Sequence, residues 1–159
     1  ELQVYRETAL PYPFPQVVEG ETDPDKVVLA QEWNVGRVGF IMPDCITQRT
    51  LVEPATMLGT GSNPPGSWDQ KQWLKDRLVA AGAEGKELVF LCITPTWVTS
   101  SVPGSYGFWF LDEREELANF IRDTEGVPSV VLVAGDLHRS LIDDGVATDY
   151  STGGGLGMA

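Results

Sequence analysis

Two segments with helical periodicity separate three short apolar runs, and this order constrains the fold more than any other feature of the chain. The apolar runs occupy 36–42, 87–93 and 127–134, and the helical segments follow Ser67 and Asp112. Strands that alternate with helices of this length build a parallel sheet with right-handed connections. The runs are continuously apolar, as is typical of strands covered by helices on both faces. The sequence therefore predicts an α/β fold.

The boundaries of the predicted elements carry their own patterns. Ser67 and Gln70 have the spacing of a capping box at the start of the first helix, and Gly82 is a natural helix terminator. Turn-forming residues at 34–36 separate apolar runs at 27–33 and 36–42, which predicts a β-hairpin. Acidic residues fill the first turn of the second helix, where the helix dipole favours negative charge.

Composition divides the chain into three regions. Residues 1–25 are rich in proline and predict an extended segment, which is either a ligand for an aromatic groove or a strap packed along its own domain. Residues 26–145 hold the predicted strands and helices of one α/β domain. Residues 146–159 are rich in glycine and predict a flexible tail.

Charge and composition exclude several classes of protein. The formal net charge of −12 argues against a protein that binds the phosphate backbone of nucleic acids, because such proteins need a basic surface. No apolar run approaches the length of a membrane span. Cys45 and Cys92 are too few for a disulfide framework, so buried free thiols are expected. The sequence does not indicate a cellular compartment.

The last apolar run ends in Gly135-Asp136-Leu137-His138, which contains the single histidine of the chain. Ligands of open α/β sheets bind beyond the carboxyl ends of the strands. A carboxylate and an imidazole at that position are candidates for metal binding or acid–base catalysis, so Asp136 and His138 are the candidate catalytic residues. The alternative is a polar turn in which the backbone satisfies His138.

Two further segments that follow predicted strands are candidates for a functional role. Asp44 and Arg49 follow the run at 36–42, where they either form a surface ion pair or face an anionic ligand. The connection at 98–108 is rich in serine, glycine and proline and is flanked by aromatic residues, including Trp97. Loops of this length inside a compact domain are usually functional or disordered, and the alternative here is a loop fixed by aromatic packing.

Several separated motifs follow one another in a fixed order between residues 35 and 140. In chain order they are Gly39-Phe40-Ile41 leading to Asp44 and Arg49, Thr56-Met57-Leu58-Gly59, Gln70-Lys71-Gln72-Trp73-Leu74, Glu113-Arg114-Glu115-Glu116-Leu117, and Val131-Leu132-Val133-Ala134-Gly135-Asp136-Leu137-His138. In this order and spacing they resemble the second half of the PhoD-like alkaline phosphatases, a branch of the calcineurin-like metallophosphoesterases.

The resemblance implies a layered α/β sandwich of the metallophosphoesterase type, of which this chain holds a partial sheet flanked by helices. It implies hydrolysis of phosphate mono- or diesters by metal-activated water. The metal ions would be divalent or trivalent, with Fe, Ca, Mn and Zn all open. By the same resemblance His138 and Asp136 are candidate metal ligands as well as catalytic residues, and Asp44 and Arg49 are candidate substrate-binding residues.

The sequence departs from the family pattern in two ways. The family's early motifs, which supply several further ligands, are not among these 159 residues. In the wider superfamily a central strand often ends in a histidine before a proline, whereas Thr94 precedes Pro95 here. We therefore expect a site that needs an N-terminal segment or a partner chain for completion. The alternative is a non-catalytic binding or assembly module derived from the same fold.

Overall fold

The first two strands form the hairpin that the turn residues predict. The computed structural model describes residues 30–46, 48–49, 56–59, 69–94, 97, 111–135 and 150–153. Strand β1 (Gln31–Val35) pairs antiparallel with β2 (Val38–Met42), with Val35 opposite Val38. Gly36 lies in the two-residue turn with a φ of 59°, a conformation that glycine adopts without steric cost. The predicted extended segment at 1–25 lies outside the described residues.

The remaining elements extend this hairpin into a mixed sheet. Helix α1 (Gln70–Ala83) connects β2 to β3 (Leu88–Ile93), and helix α2 (Leu111–Asp123) connects β3 to β4 (Ser129–Ala134). The strand order is β1-β2-β3-β4, and β2, β3 and β4 are parallel. The predicted α/β fold, with parallel strands joined by crossover helices, is therefore confirmed.

Burial alternates along the strands. Val89 and Leu91 are fully buried, whereas Phe90 between them is only half-buried. Both helices contribute to the same core cluster as Val89 and Leu91, so the prediction of helices on both faces is wrong for the described part of the chain. The physical reason is that two right-handed crossovers moving in one direction across a sheet place their helices on the same side. The core comprises Ile41, Cys45, Met57, Leu58, Leu74, Leu78, Ala81, Val89, Leu91, Ile93, Trp97, Leu117, Ala118 and Val130.

The second face of the sheet is also apolar but less deeply buried. The rings of Trp33 and Phe40 stack with centroids 5.1 Å apart, and those of Phe40 and Phe90 with centroids 5.2 Å apart. Trp33 on β1 is 42% exposed and Val133 on β4 is 46% exposed. The continuous apolar runs therefore reflect two apolar faces with unequal burial.

Helix α1 begins two residues later than the capping-box pattern indicates. Its N-cap is Asp69, whose carboxylate accepts a hydrogen bond of 2.9 Å from the N–H of Gln72. Ser67 lies outside the described residues, and the side chain of Gln70 bonds to a distant part of the chain. The predicted capping box is therefore wrong, and Asp69 provides the cap by the usual carboxylate chemistry.

The glycine that terminates helix α1 is Gly85, which follows the C-cap Glu84, and not the predicted Gly82. Gly85 has a φ of 76°, and its N–H donates to Gly82 while that of Lys86 donates to Ala81, which together form a Schellman motif. Gly82 lies inside the helix, where an added Cβ would be 1.7 Å from the carbonyl oxygen of Gly126. The prediction that Gly82 ends the helix is thus wrong. Because Gly82 has no side chain, the helix can approach the turn before β4 closely.

Among the described helices, none has the length and apolar character needed to cross a membrane.

Candidate functional site

The carboxyl ends of the three parallel strands lie at one edge of the sheet. Gly135, directly after β4, donates its N–H to the carbonyl of Ile93 at 3.3 Å and lies beside Thr94. Asp136 and His138 follow Gly135 in sequence and lie outside the described residues, so their catalytic and metal-binding roles stay predictions. The described structure therefore establishes the edge from which the Gly-Asp-Leu-His motif departs.

Gln70, at the start of α1, is bonded to the segment that follows β2. It is completely buried, and its carboxamide oxygen accepts from the N–H of Asp44 at 2.7 Å. Its carboxamide nitrogen donates to the carbonyls of Asp44 at 2.9 Å and Leu58 at 3.4 Å. The side chain thus pairs with the Asp44 backbone as a neighbouring strand would, and both its carboxamide oxygen and its carboxamide nitrogen have partners, as buried polar groups require.

Glu113, in the first turn of α2, bonds to another part of the same connection. Its carboxylate accepts from the N–H of Met57 at 2.7 Å and from that of Leu58 at 3.4 Å. The side chain is only 4% exposed, and burial raises the pKa of Glu113 although the two N–H groups and the charge of Lys71 oppose the shift. The geometry is that of a carboxylate bound by two consecutive backbone amides, which favour the charged form, whereas burial favours the neutral form and outweighs them.

Arg114, the next residue, bonds to the segments that follow β3 and β4. Its guanidinium donates to the carbonyl of Trp97 at 2.8 Å, and its central carbon lies 3.3 Å from the ring centroid of Tyr150. The Trp97 and Tyr150 rings also contact each other, with centroids 6.4 Å apart. Trp97 is 2% exposed, so packing fixes the residue directly before the connection at 98–108. The connection itself lies outside the described residues. Burial lowers the pKa of Arg114.

The short segment at 150–153 lies along α2. Asn119 accepts from the N–H of Thr152 at 2.8 Å and donates to its hydroxyl at 3.0 Å. Arg122 donates to the Thr152 carbonyl at 2.6 Å, and the hydroxyl donates to Glu115. These four residues belong to the region predicted as a flexible tail, and side chains of α2 satisfy both the amide and the carbonyl of Thr152.

The two helices are joined by a charge cluster within their first two turns. Glu116 accepts from Lys71 at 2.7 Å and from Lys75 at 2.5 Å. Burial alone raises the pKa of Glu116, but the hydrogen bonds and charges of the two lysines outweigh it and lower the pKa overall. The cluster fixes the spacing of the helix N-termini beside the edge of the sheet.

Asp44 and Arg49, the predicted substrate-binding residues, are both in the described structure. Asp44 is 6% exposed, and one of its carboxylate oxygens accepts from the N–H of Ile46 at 3.1 Å. Arg49 is half-buried. Asp44 is therefore not a surface carboxylate, and it stabilises the turn directly after β2. A substrate contact from either residue stays a prediction.

The two cysteines are free thiols, and the prediction that both are buried holds for Cys45 alone. Cys45 is buried and Cys92 is half-buried on the second face of the sheet. Burial is the main cause that raises the pKa of Cys45 to about 12, so its thiol is protonated at neutral pH. Within the described ranges no group of three or more histidine, cysteine, aspartate or glutamate side chains is arranged to hold a metal ion.

Sequence reasoning missed the buried roles of Gln70, Glu113 and Arg114. A pattern that could have revealed them was present, because Gln70 lies one turn before Leu74, and Glu113 and Arg114 one turn before Leu117. Leu74 and Leu117 are buried, so polar residues one turn ahead of them lie on the same face of each helix. A polar residue on the buried stripe of a helix indicates a specific partner.

No family model, no curated protein and no solved structure matches this chain.

Proposed function

We propose that this chain is the C-terminal part of a metal-dependent phosphoesterase with a layered α/β sandwich fold. The observation that supports the proposal best is the mutual contact of motifs that are separate in sequence. Gln70 binds the backbone of Asp44 and Leu58, and Glu113 binds the backbone of Met57 and Leu58. The first four of the five motifs that carry the phosphatase resemblance thus form one bonded assembly beside the carboxyl edge of the parallel strands, the usual place for a ligand in such a sheet.

The proposed chemistry assigns different tasks to the chain's own residues. Metal ions, when bound, would lower the pKa of a water molecule and neutralise phosphate oxygens. His138 and Asp136 are proposed to bind or orient at that site, and Arg49 to contact a phosphate oxygen. Asp44 already caps a turn through Ile46, so its proposed contribution is to hold this edge in place. A site of this kind is completed by an N-terminal segment or a partner chain.

The test is metal-dependent hydrolysis by the full-length product of the gene. Purified protein is stripped with a chelator, reloaded with Fe, Ca, Mn or Zn, and assayed with p-nitrophenyl phosphate and bis-p-nitrophenyl phosphate. His138→Ala is expected to lower kcat at least about 100-fold, because general acid–base groups and metal ligands contribute factors of this order.

The matched controls are carboxylate variants on the same protein. Asp136→Asn is expected to reduce turnover sharply. Asp76→Asn, which changes an exposed carboxylate on α1, is expected to leave turnover unchanged. Full activity in His138→Ala would contradict the assignment of the site.

A non-catalytic assembly module is the second candidate, and the second face of the sheet favours it. Trp33 and Val133 are exposed at opposite margins of a face whose centre is formed by Phe40 and Phe90. On this reading the purified gene product hydrolyses neither ester with any metal and co-purifies with a partner. Stoichiometric transition metal in the isolated protein, measured by elemental analysis, would count against it.

A further inference from the structure

The first turn of α2 contacts three chain segments that are far apart in sequence. The Glu113 carboxylate accepts from the backbone of residues 57–58, which belong to the connection after β2. The Arg114 guanidinium donates to Trp97 in the connection after β3 and stacks on Tyr150 in the chain after β4. Each of the three segments thus follows the carboxyl end of a different parallel strand.

We propose that Glu113 and Arg114 are positioning residues that set the mutual placement of the loops at the carboxyl edge of the sheet. Their catalytic consequence rests on the proposed function, whereas the positioning itself is a property of the fold. Neither residue is assigned contact with a substrate. Both act through the backbone and rings of the segments that they hold.

The chemistry of each side chain suits this role. A carboxylate has two oxygens side by side and accepts from two consecutive N–H groups, which a carboxamide cannot do because one of its two heavy atoms is a donor. A guanidinium donates in its plane while its face stacks on an aromatic ring, and a lysine ammonium cannot do both. Glu113 and Arg114 are each 4% exposed, so water does not compete for these contacts.

Glu116 provides the matched control on the same helix. It lies one turn after Glu113 and binds Lys71 and Lys75 of α1. None of its hydrogen bonds within the described residues reaches the segments at 57–58, 97 or 150. Glu116→Gln therefore weakens the contact between the helices while leaving the loop contacts in place.

Amide hydrogen exchange in the full-length gene product tests the positioning directly. Glu113→Gln is expected to accelerate exchange of the Met57 and Leu58 amides about fivefold or more, because one of them loses its acceptor. Arg114→Lys, a second variant that keeps the charge, is expected to accelerate exchange at Tyr150–Thr152. In both variants the amides of β3 are expected to exchange at the wild-type rate, and Glu116→Gln is expected to leave residues 57–58 unchanged.

Steady-state kinetics test the catalytic consequence. In Glu113→Gln and Arg114→Lys, kcat for ester hydrolysis is expected to fall about 10- to 100-fold with little change in KM, because small displacements of reacting groups are costly. Unchanged exchange at residues 57–58 and 150–152 would overturn the positioning role, as would an acceleration that spreads evenly through β3. Loosened loops with an unchanged kcat would overturn the catalytic consequence. An inactive wild-type protein would overturn the proposed function and leave the exchange result to decide the positioning.

Discussion

Gly82→Ala is a substitution for which helix propensity and packing predict opposite signs. In the interior of a helix, alanine is favoured over glycine by about 1 kcal/mol. In this fold, however, the new Cβ would lie 1.7 Å from the carbonyl oxygen of Gly126 and 2.9 Å from its carbonyl carbon. Real Cβ atoms essentially never approach this closely, so the helix or the turn before β4 must move.

The loss of stability in Gly82→Ala depends on whether backbone or a side chain must move. Inserting a methyl group into a packed interior costs about 1–3 kcal/mol, and the upper end applies when backbone rather than a flexible side chain must shift. Subtracting the propensity gain of about 1 kcal/mol leaves a net loss of about 2 kcal/mol. For a domain of about 150 residues this corresponds to a Tm lower by about 4–8 °C.

Urea unfolding followed by circular dichroism measures this loss. The midpoint is expected to fall while the slope with urea is unchanged. Gly85→Ala is the control, since no atom lies within 4 Å of its added Cβ and only its φ of 76° opposes the change. It is expected to cost about 1 kcal/mol. A Gly82→Ala protein as stable as the wild type would refute the close approach of α1 to Gly126.

Two further predictions concern the polar residues at the helix starts. Gln70→Ala is expected to lower the free energy of unfolding, measured by urea titration, by about 2–3 kcal/mol, because the Asp44 amide and carbonyl lose their buried partners. The control is Gln72→Ala at an exposed position of the same helix, which should change the free energy of unfolding by less than about 0.5 kcal/mol. The second prediction is a pH dependence. Burial raises the pKa of Glu113 above its unfolded value near 4.5, so its contribution to stability is fully present below that value and is lost as the pH rises through the folded pKa. The pKa of Glu116 is lowered despite burial, so its contribution is present above about 4.5 and is lost as the pH falls through the folded pKa. The free energy of unfolding is measured for the wild type and both variants across this pH range. As the pH falls, the excess stability of the wild type over Glu113→Gln should grow, and its excess over Glu116→Gln should shrink. Parallel pH profiles for the two variants would contradict the assignments.

The order of strands and helices was predictable because it depends on local periodicity. Apolar runs of strand length and segments of helical spacing determine which parts can cover a core, and the turn at Gly36 fixes the hairpin. The edge of the sheet from which Asp136 departs follows from the parallel arrangement, which the crossover helices impose. Each of these conclusions needs only residues that are neighbours in sequence.

The buried polar contacts and the close approach at Gly82 were not predictable in the same way. The acidic first turn of α2 satisfies the helix-dipole rule whether or not Glu113 is buried. Only the tertiary structure brings the N–H groups of Met57 and Leu58 to that carboxylate. Similarly, Gly82 matches a terminator in sequence, and its use for close packing depends on Gly126, which belongs to the turn after the next helix.

The connectivity of the sheet sets the entropic cost of assembling it. The hairpin joins Val35 to Val38 across two turn residues, so little chain entropy is lost when it closes. Each parallel pairing, such as Val38 with Leu88, must first close a loop that contains a helix. The bond from Met57 to Glu113 spans 56 residues and requires β3 and both helices to be in place. The contact of Met57 with Glu113 at the carboxyl edge thus closes a longer loop than the pairing of Val38 with Leu88, and the hairpin is the part of the sheet with the lowest loop-closure cost.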